Sequence, residues 1–281
     1  MNKPDAFEKE DIKEFEAEAK IGLIATVNPQ GEPHITMISS IRAKSSKKLM
    51  FGQFTEGLSK IHVKTNPNIG FLILNTNKEM WRGKARWTHE EKQGEDYEMY
   101  NNTPMFRYNA YLGIHTVHYM ELVETYGREK LPLRDIIISS ILTKVVKGSA
   151  KTGIGERILK PWAEGMFNRL DSLTFISSID NDGYPKIIPV LQCQASDSRR
   201  LSFSLLAYRE ELKALEKDTK VAVFGLTMDM EDILIRGQFR GFGRFMSIQL
   251  GTIDIEWVYN SMPPKQGQIY PVKKIQPISN F

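Results

Sequence analysis

The stretch LIATVNPQGEPHITMI at residues 23–38 returns in altered form as FISSIDNDGYPKIIPV at residues 175–190. Each copy has an apolar run, a polar turn ending in glycine, one further residue, a proline and a second apolar run. Glycine accepts the positive φ that such turns need, and proline is tolerated at the first position of a strand. The stretch therefore predicts a β-hairpin, and its return predicts a second hairpin of the same kind.

The correspondence between the two copies extends well beyond the hairpins. The offset is 183 − 31 = 152 residues, and it also relates Pro33 to Pro185, Leu49 to Leu201, Phe51 to Phe203 and Ile69 to Val221. Two residues of drift then relate Arg82-Gly83 to Arg236-Gly237. A single glycine-x-proline turn recurs easily by chance, whereas an ordered set does not. We therefore predict a duplicated domain; the alternative is one large sheet that contains two similar hairpins.

Many short strands at close spacing, with few helices between them, indicate antiparallel β-barrels. We predict a first barrel at residues 1–125 with an insertion at about 90–111, a helical joint at 126–155, and a second barrel at 156–281. Helices are expected at the start of each copy, over Glu8–Lys20 and Glu156–Leu170. The second strand of the first copy is expected to start at Pro33 and to end at Arg42.

Composition excludes several classes of protein. The 38 Lys and Arg exceed the 34 Asp and Glu by four and are scattered, which does not favour a nucleic-acid surface. No run approaches the roughly 18–20 apolar residues of a membrane helix, and the polar, acidic N-terminal stretch is unlike a secretory signal. Cys193 is the only cysteine, so an internal disulfide cannot form, and we expect a cytoplasmic protein.

An ordered set of short motifs runs through the first copy: Ile24-Ala25-Thr26-Val27, Gly31-x-Pro33-His34-Ile35-Thr36, Leu49-Met50-Phe51-Gly52, Ser59-Lys60, Asn66-Pro67-x-Ile69-Gly70 and Trp81-Arg82-Gly83-Lys84-Ala85. This set resembles the FMN-binding split barrels of the pyridoxamine 5'-phosphate oxidase-like family. The second copy keeps the strands but has Arg209-Glu210 and Asp218-Thr219 in place of the Ser-Lys and Asn-Pro elements. The resemblance implies a mainly β fold with flanking helices, built as two tandem antiparallel split β-barrels.

The resemblance also implies FMN, held where two barrels meet, and suggests which residues bind it. Ser59 and Lys60 fall at the start of a short helix, where free N–H groups and partial positive charge favour a phosphate. The alternative for this pair is a helix cap and a solvated lysine. The other suggested flavin contacts are Arg42 toward the phosphate, Gln53, Phe54 and Thr55 along the ring and ribityl chain, Ser39 and Ser40 at the ring edge, and Arg82, for which a barrel-closing ion pair is the alternative.

Other chemistry is not indicated. His115 and His118 are three apart on a strand and point to opposite faces, so we predict no metal site. No nucleophile–base pair or carboxylate dyad stands out, so the catalytic residues stay unknown. The tyrosine-rich insertion, with Tyr97, Tyr100, Phe106, Arg107, Tyr108 and Tyr111, either walls a substrate site or packs between domains.

The predicted function is that of an FMN-dependent oxidoreductase acting on a small molecule. The alternative is a non-catalytic protein that binds flavin, haem or deazaflavin, or that carries electrons to a redox partner. The family's arginine-rich element after the third strand is replaced here by Gly57-Leu58, so a vitamin substrate is not implied. We expect the first copy to bind the flavin and the second to act as wall or scaffold. The barrels could pair within one chain or across a homodimer.

Overall fold

Residues 3–104, 107, 113–153, 155–260 and 267–271 are described by a computed structural model of the chain. The first antiparallel sheet contains β1 (Lys20–Val27), β2 (Pro33–Met37), β3 (Arg42–Ser45), β4 (Lys48–Gln53), β5 (Asn68–Asn75), β6 (Glu79–Glu91), β7 (Thr116–Thr125) and β8 (Glu129–Lys130). Its strand order is β2-β1-β5-β6-β7-β4-β3, and β8 pairs with β6.

The second sheet repeats this order. It contains β9 (Leu173–Ile179), β10 (Pro185–Pro189), β11 (Gln194–Asp197), β12 (Arg200–Ser204), β13 (Lys220–Leu226), β14 (Asp232–Phe245), β15 (Ile248–Asn260) and β16 (Gly267–Tyr270). The strands run β10-β9-β13-β14-β15-β12-β11, with β16 beside β15. The predicted fold class, mainly β in two tandem antiparallel split barrels, is confirmed.

The hairpins that decide the fold have the turn chemistry predicted for them. Gly31 and Gly183 have φ angles of 77° and 79°, in the left-handed region that side chains with a Cβ rarely adopt. Pro33 and Pro185 are the first residues of β2 and β10. Equivalent backbone hydrogen bonds close the two turns, from Asn28 N–H to Glu32 O and from Asp180 N–H to Tyr184 O, both over 2.9 Å.

Each sheet encloses an apolar core of its own. The first is formed by side chains that include Phe15, Ile24, Phe51, Phe71 and Trp81, and the second by a larger set that includes Phe167, Ile176, Phe203, Phe239 and Ile253. Successive side chains of a strand point to opposite faces. Every residue of β4 after Lys48 and of β12 after Arg200 is buried, so both faces of these strands are covered.

The helices are α1 (Lys9–Glu14), α2 (Leu58–Thr65), α3 (Glu95–Asn101), α4 (Leu133–Val146), α5 (Pro161–Asn168) and α6 (Arg209–Lys213). Both initial helices are shorter than predicted. The first of them, α1, ends before β1 begins at Lys20. The second, α5, begins at Pro161, and proline suits the first turn of a helix because the N–H that it lacks would have no partner there. Arg42 begins β3 and does not end β2, because Ile41 N–H bonds to Ile38 O and turns the chain between the two strands.

Contacts divide the chain into two compact units, residues 1–131 with 177–187 and residues 132–176 with 188–281. The boundaries predicted from the sequence stay a prediction. The helix predicted in the joint is α4, and it packs against β11, β12 and β15 of the second sheet. No helix among the described residues is long and apolar enough to cross a membrane.

Candidate functional site

The start of α2 is an open helix N-terminus in the first unit. The chain leaves β4 at Gln53 and enters α2 at Leu58, with Gly57 as the N-cap residue. Gly57 has no side chain with which to cap the helix, so no side-chain oxygen accepts from the first N–H groups. The first N–H groups of a helix carry partial positive charge and need acceptors. This terminus can therefore take an anion.

Ser59 and Lys60 are polar residues that the fold buries at this terminus. Ser59 is 3% exposed, and its hydroxyl has no hydrogen-bond partner among the residues that the structure describes, while Lys60 is 9% exposed. No carboxylate of the described residues forms an ion pair with the Lys60 ammonium. Burial lowers the pKa of Lys60 from 10.5 to about 8. A hydroxyl and an ammonium removed from water without partners are costly.

The ammonium of Lys60 lies over the beginning of its own helix. A Cβ placed on Gly57 would be 3.5 Å from Lys60 Nζ, so the cation, the Ser59 hydroxyl and the open helix terminus belong to one short segment. An oxyanion would supply the acceptor that Ser59 and the terminal N–H groups lack and the charge that Lys60 lacks. The residues present therefore fit a ligand that bears a phosphate.

Gln53 is held in position beside this segment by His118. Its Oε1 lies 2.6 Å from His118 Nε2, and Trp87 Nε1–H donates to His118 Nδ1 over 3.2 Å. Burial lowers the pKa of His118 to about 4, so the imidazole is neutral and its one proton is on Nε2, where it is donated to Gln53. The Gln53 amide N–H₂ is then oriented as a donor for a ligand.

Phe54 and Thr55 lie in the loop between β4 and α2. Phe54 is 39% exposed and Thr55 is half-buried. An exposed aromatic ring next to a buried donor and an anion site is suited to contact a planar ligand. These two residues, Gln53, Ser59 and Lys60 are the predicted site residues that the fold brings together.

Ser39, Ser40 and Arg42 line a different pocket of the first unit, shared with Tyr100 of α3. Ser40 Oγ donates to Gly52 O over 2.7 Å, and Tyr100 O–H donates to Ser40 O over 2.8 Å. Ser59 and Lys60 do not line this pocket. The resemblance suggested that Arg42 contacts the same flavin phosphate as Ser59 and Lys60, and this assignment stays a prediction.

Arg82 forms the ion pair that the sequence left as the alternative to flavin contact. Its guanidinium donates to both carboxylate oxygens of Glu129, over 2.8 and 3.0 Å, and stacks on Tyr126 at 4.2 Å from the ring centre. Arg82 is 2% exposed. The geometry favours a structural role that ties β8 to β6, and we leave Arg82 out of the site.

In the second unit, α6 is the counterpart of α2 but lacks its chemistry. It has five residues, and its first turn carries Glu210 and Glu211, where negative side chains repel an anion. Tyr208 precedes it in a left-handed conformation, with φ of 54°. The second copy has therefore kept the helix but has neither the serine nor the lysine found at the start of α2.

Helix α4 also covers this part of the second unit. Ser204 N–H donates to Thr143 Oγ1 over 3.0 Å, and Ala207 N–H donates to Ser139 Oγ over 3.2 Å. Ser139 and Thr143 are fully buried. The offset of 152 makes Ser204 the counterpart of Gly52 and Ala207 the counterpart of Thr55. In the first barrel this segment leads into the candidate site, whereas in the second barrel helix α4 covers it.

Some functional residues could not be found by sequence reasoning. His118 and Trp87 fix Gln53 only because β4 pairs with β7 in a register that sets Phe51 opposite His118, which places Gln53 diagonally across. Tyr100 was singled out as an aromatic of the insertion, and the structure buries it against the first barrel. Phe106, Tyr108 and Tyr111 lie outside the described residues. Within those described, no three His, Cys, Asp or Glu side chains are grouped as a metal would need.

The first copy is similar to known proteins. Residues 8–121 match the family model described as pyridoxamine 5'-phosphate oxidase, and no curated protein sequence matches the chain significantly. Similar solved structures include an FMN-binding protein from Syntrophomonas wolfei subsp. wolfei (15% identity, 41% of this chain, 80% of that chain, TM-score 0.35), HupZ of Group A Streptococcus (17%, 42%, 92%, 0.35) and an F420 reductase (16%, 43%, 97%, 0.34).

Proposed function

We propose that the protein binds FMN in its first barrel and acts as an oxidoreductase on a small molecule. The match of residues 8–121 to the family model described as pyridoxamine 5'-phosphate oxidase supports this proposal. The observation that carries this proposal is the pair Ser59 and Lys60 at an open helix N-terminus, a buried hydroxyl and a buried ammonium to which the described part of the chain gives no hydrogen-bond or carboxylate partner. FMN, when bound, would supply the redox chemistry, and the chain would bind and orient it.

Each residue of the site has a distinct task in this proposal. Lys60 neutralises phosphate charge, and Ser59 donates its hydroxyl together with the N–H groups at the start of α2. Gln53, fixed by His118, donates its amide N–H to a carbonyl oxygen of the flavin ring. Phe54 and Thr55 contact the ring and ribityl chain.

A titration with two flavins tests the proposal. The protein, freed of any cofactor, is titrated with FMN and with riboflavin while flavin fluorescence is recorded. We expect FMN to bind at micromolar concentration and riboflavin to bind at least tenfold more weakly, because only FMN offers a phosphate to Ser59 and Lys60. Failure to bind FMN, or equal affinity for the two flavins, would overturn the proposal.

Turnover separates the oxidoreductase from its alternative. The bound flavin is reduced anaerobically and then offered small-molecule acceptors one at a time. Reoxidation by one of them at a rate above that of free FMN supports an enzyme. Reoxidation only by a protein fraction would instead make this chain an electron carrier.

A further inference from the structure

We propose that the outer side of α4 is a docking surface for a second copy of this chain, which packs on it helix against helix about a two-fold axis. This surface, the α4 ridge, is formed by five aliphatic side chains that solvent reaches: Leu133, Ile137, Ile138, Ile141 and Val145. The inference concerns assembly, and it holds whether or not the first barrel binds FMN.

The inner side of α4, which packs on the second sheet, is largely polar. Its buried residues are Ile136, Ser139, Ser140, Thr143 and Val146. The hydroxyls of Ser139 and Thr143 accept from backbone N–H groups at and just after the end of β12, over 3.2 and 3.0 Å. The side-chain amide of Gln194 donates to the Ser140 carbonyl oxygen over 3.0 Å. Hydrogen bonds, and not only apolar contacts, therefore hold α4 on this sheet.

The outer side of α4 is aliphatic although it faces water. Ile137, Ile141 and Val145 are each more than half exposed. A surface helix ordinarily does the reverse, burying its apolar stripe and turning its polar side to water. Exposed aliphatic surface is costly in water, and a continuous patch of it marks a site of association. Packing within the second unit does not account for this side of the helix.

The α4 ridge has the geometry of a surface that can pair with itself. Four of its residues follow one another at intervals of four, which is one of the rows that interdigitate when two helices pack. The row is nearly symmetric, because Ile137 and Ile141 at its centre are flanked by Leu133 on one side and Val145 on the other. A two-fold interface requires one patch that is complementary to itself. In such a pair, Ile137 of each copy meets Ile141 of the other.

The area of the α4 ridge matches the apolar part of a dimer interface. A standard interface covers about 800 Å² on each partner, of which about 56–65%, or about 450–520 Å², is apolar. The exposed fractions of the five aliphatic side chains amount to on the order of 450 Å². The ridge can therefore supply the apolar centre of one interface, with the surrounding polar surface as its rim.

The residue types on α4 favour a protein over a lipid surface. A helix that lies in a membrane interface combines Trp, Phe or Leu on one face with many lysines and arginines on the other. In α4 the face opposite the ridge is uncharged at its buried positions. The outer face has no aromatic residue anywhere along the described helix, and Arg134 and Lys144 are its exposed charges. This pattern is that of a packing surface between helices.

Light scattering of the full chain at about 1 and about 100 µM tests the proposal. The ridge variant is Ile137→Ser/Ile141→Ser. The matched control is Met228→Ser/Met230→Ser, which removes two comparably exposed apolar side chains from the turn between β13 and β14. We expect the wild type and the control to have twice the mass of the ridge variant at the higher concentration. The dissociation constant of the dimer should rise at least a hundredfold in the ridge variant, about 2.8 kcal/mol.

A cross-linking experiment tests the two-fold geometry and decides the matter if the ridge variant does not fold. The native Cys193 is buried, so a cysteine on the ridge is the reactive one. Mild oxidation of mixed Ile137→Cys and Ile141→Cys chains should join one chain of each kind by a disulfide, which forms only between residues that lie close together. Met228→Cys chains should stay single under the same conditions.

Several outcomes would overturn the proposal. A wild type that is monomeric at about 100 µM, or a ridge variant that associates as the wild type does, would show that the ridge is not the interface. A dimer that forms no disulfide in the mixture would contradict the two-fold pairing of α4. A monomer that sediments with vesicles of anionic phospholipid, and loses this in the ridge variant, would make the ridge a lipid-binding surface instead.

Discussion

Lys60 is a cation that the fold removes from water without giving it a carboxylate. The fall of its pKa from 10.5 to about 8 corresponds to a cost of about 3 kcal/mol for keeping the charged form at neutral pH. We expect Lys60→Met to raise the stability of the flavin-free protein by up to that amount and to weaken FMN binding at least thirtyfold, about 2 kcal/mol, because the phosphate loses its counter-charge. Thermal unfolding with and without FMN measures both effects.

The matched control is Lys64→Met, on the same helix but exposed and paired with Glu90. It should leave stability within about 0.5 kcal/mol and FMN affinity within about twofold, because exposed ion pairs contribute little. If Lys60→Met instead destabilises the protein as much as the loss of an apolar core residue does, then Lys60 is buried to pack its aliphatic stem and not to bind an anion.

The same lysine predicts opposite pH dependences for stability and for binding. A lysine whose folded pKa of about 8 lies below its unfolded value of 10.5 binds fewer protons when folded, so the stability of the flavin-free protein rises between pH 8 and 10.5. Affinity for FMN should fall over that range, because the neutral amine no longer balances the phosphate. Lys20 titrates in the same window. The difference between wild type and Lys60→Met therefore isolates Lys60, and parallel curves for the two proteins would contradict this prediction.

Ser59 offers a cleaner change, because its hydroxyl makes no hydrogen bond to any residue that the structure describes. Ser59→Ala removes a buried donor that is unsatisfied, so stability should stay equal or rise slightly, whereas FMN affinity should fall about tenfold. Riboflavin affinity should not change. The control is Ser46→Ala, at an exposed position. Fluorescence titration gives the two affinities, and an equal loss for FMN and riboflavin would show that Ser59 does not face the phosphate.

At the scale of elements, Arg82 joins two strands. The buried guanidinium on β6 holds Glu129 of β8 through two hydrogen bonds. Removing one partner of such a pair costs about 3–5 kcal/mol, because the other charge loses its compensation. We expect Arg82→Met to lower the free energy of unfolding by about that amount, and to leave FMN affinity within about twofold below the unfolding transition. A selective loss of FMN affinity with stability unchanged would restore Arg82 to the flavin site.

The elements differ in how far the sequence could predict them. The hairpins at Gly31 and Gly183 were predictable because their turns are set by a few neighbouring residues, and the copies confirm each other. The break between β2 and β3 was not, because it depends on backbone hydrogen bonds that involve Ile38 and Ile41. The role of α4 was also hidden. Its spacing predicts a helix, but not that its buried serines and threonines bond to the ends of β12.

The site shows the same division. Ser59 and Lys60 could be predicted from the order of motifs, because the position at a helix start follows from local sequence. That both lack partners could not be predicted, because burial without a counter-charge is a property of the folded surroundings. The support of Gln53 by His118 depends on strand pairing between residues 65 positions apart, for which the sequence carries no local signal.

At the scale of the molecule, the two copies share a fold but differ at the candidate site. The two sheets have the same strand order, yet one helix starts with Ser59 and Lys60 and its counterpart starts with Glu210 and Glu211. The second barrel also closes the corresponding strand end with α4. Two independent changes thus oppose a second flavin, one by charge and one by occupying the space.

We therefore expect one FMN per chain, held by the first barrel. The flavin absorbance of saturated protein, with the released cofactor identified by mass, should give a ratio near one to the chain concentration. Lys60→Ala should abolish saturation at micromolar FMN, whereas Lys213→Ala, which alters an exposed lysine of α6, should leave the ratio and the affinity unaltered. Two flavins per chain, or an equal loss of FMN affinity in the two variants, would contradict this prediction. Either result would mean that α4 moves aside and that the second barrel has kept a flavin site despite the glutamates in the first turn of α6.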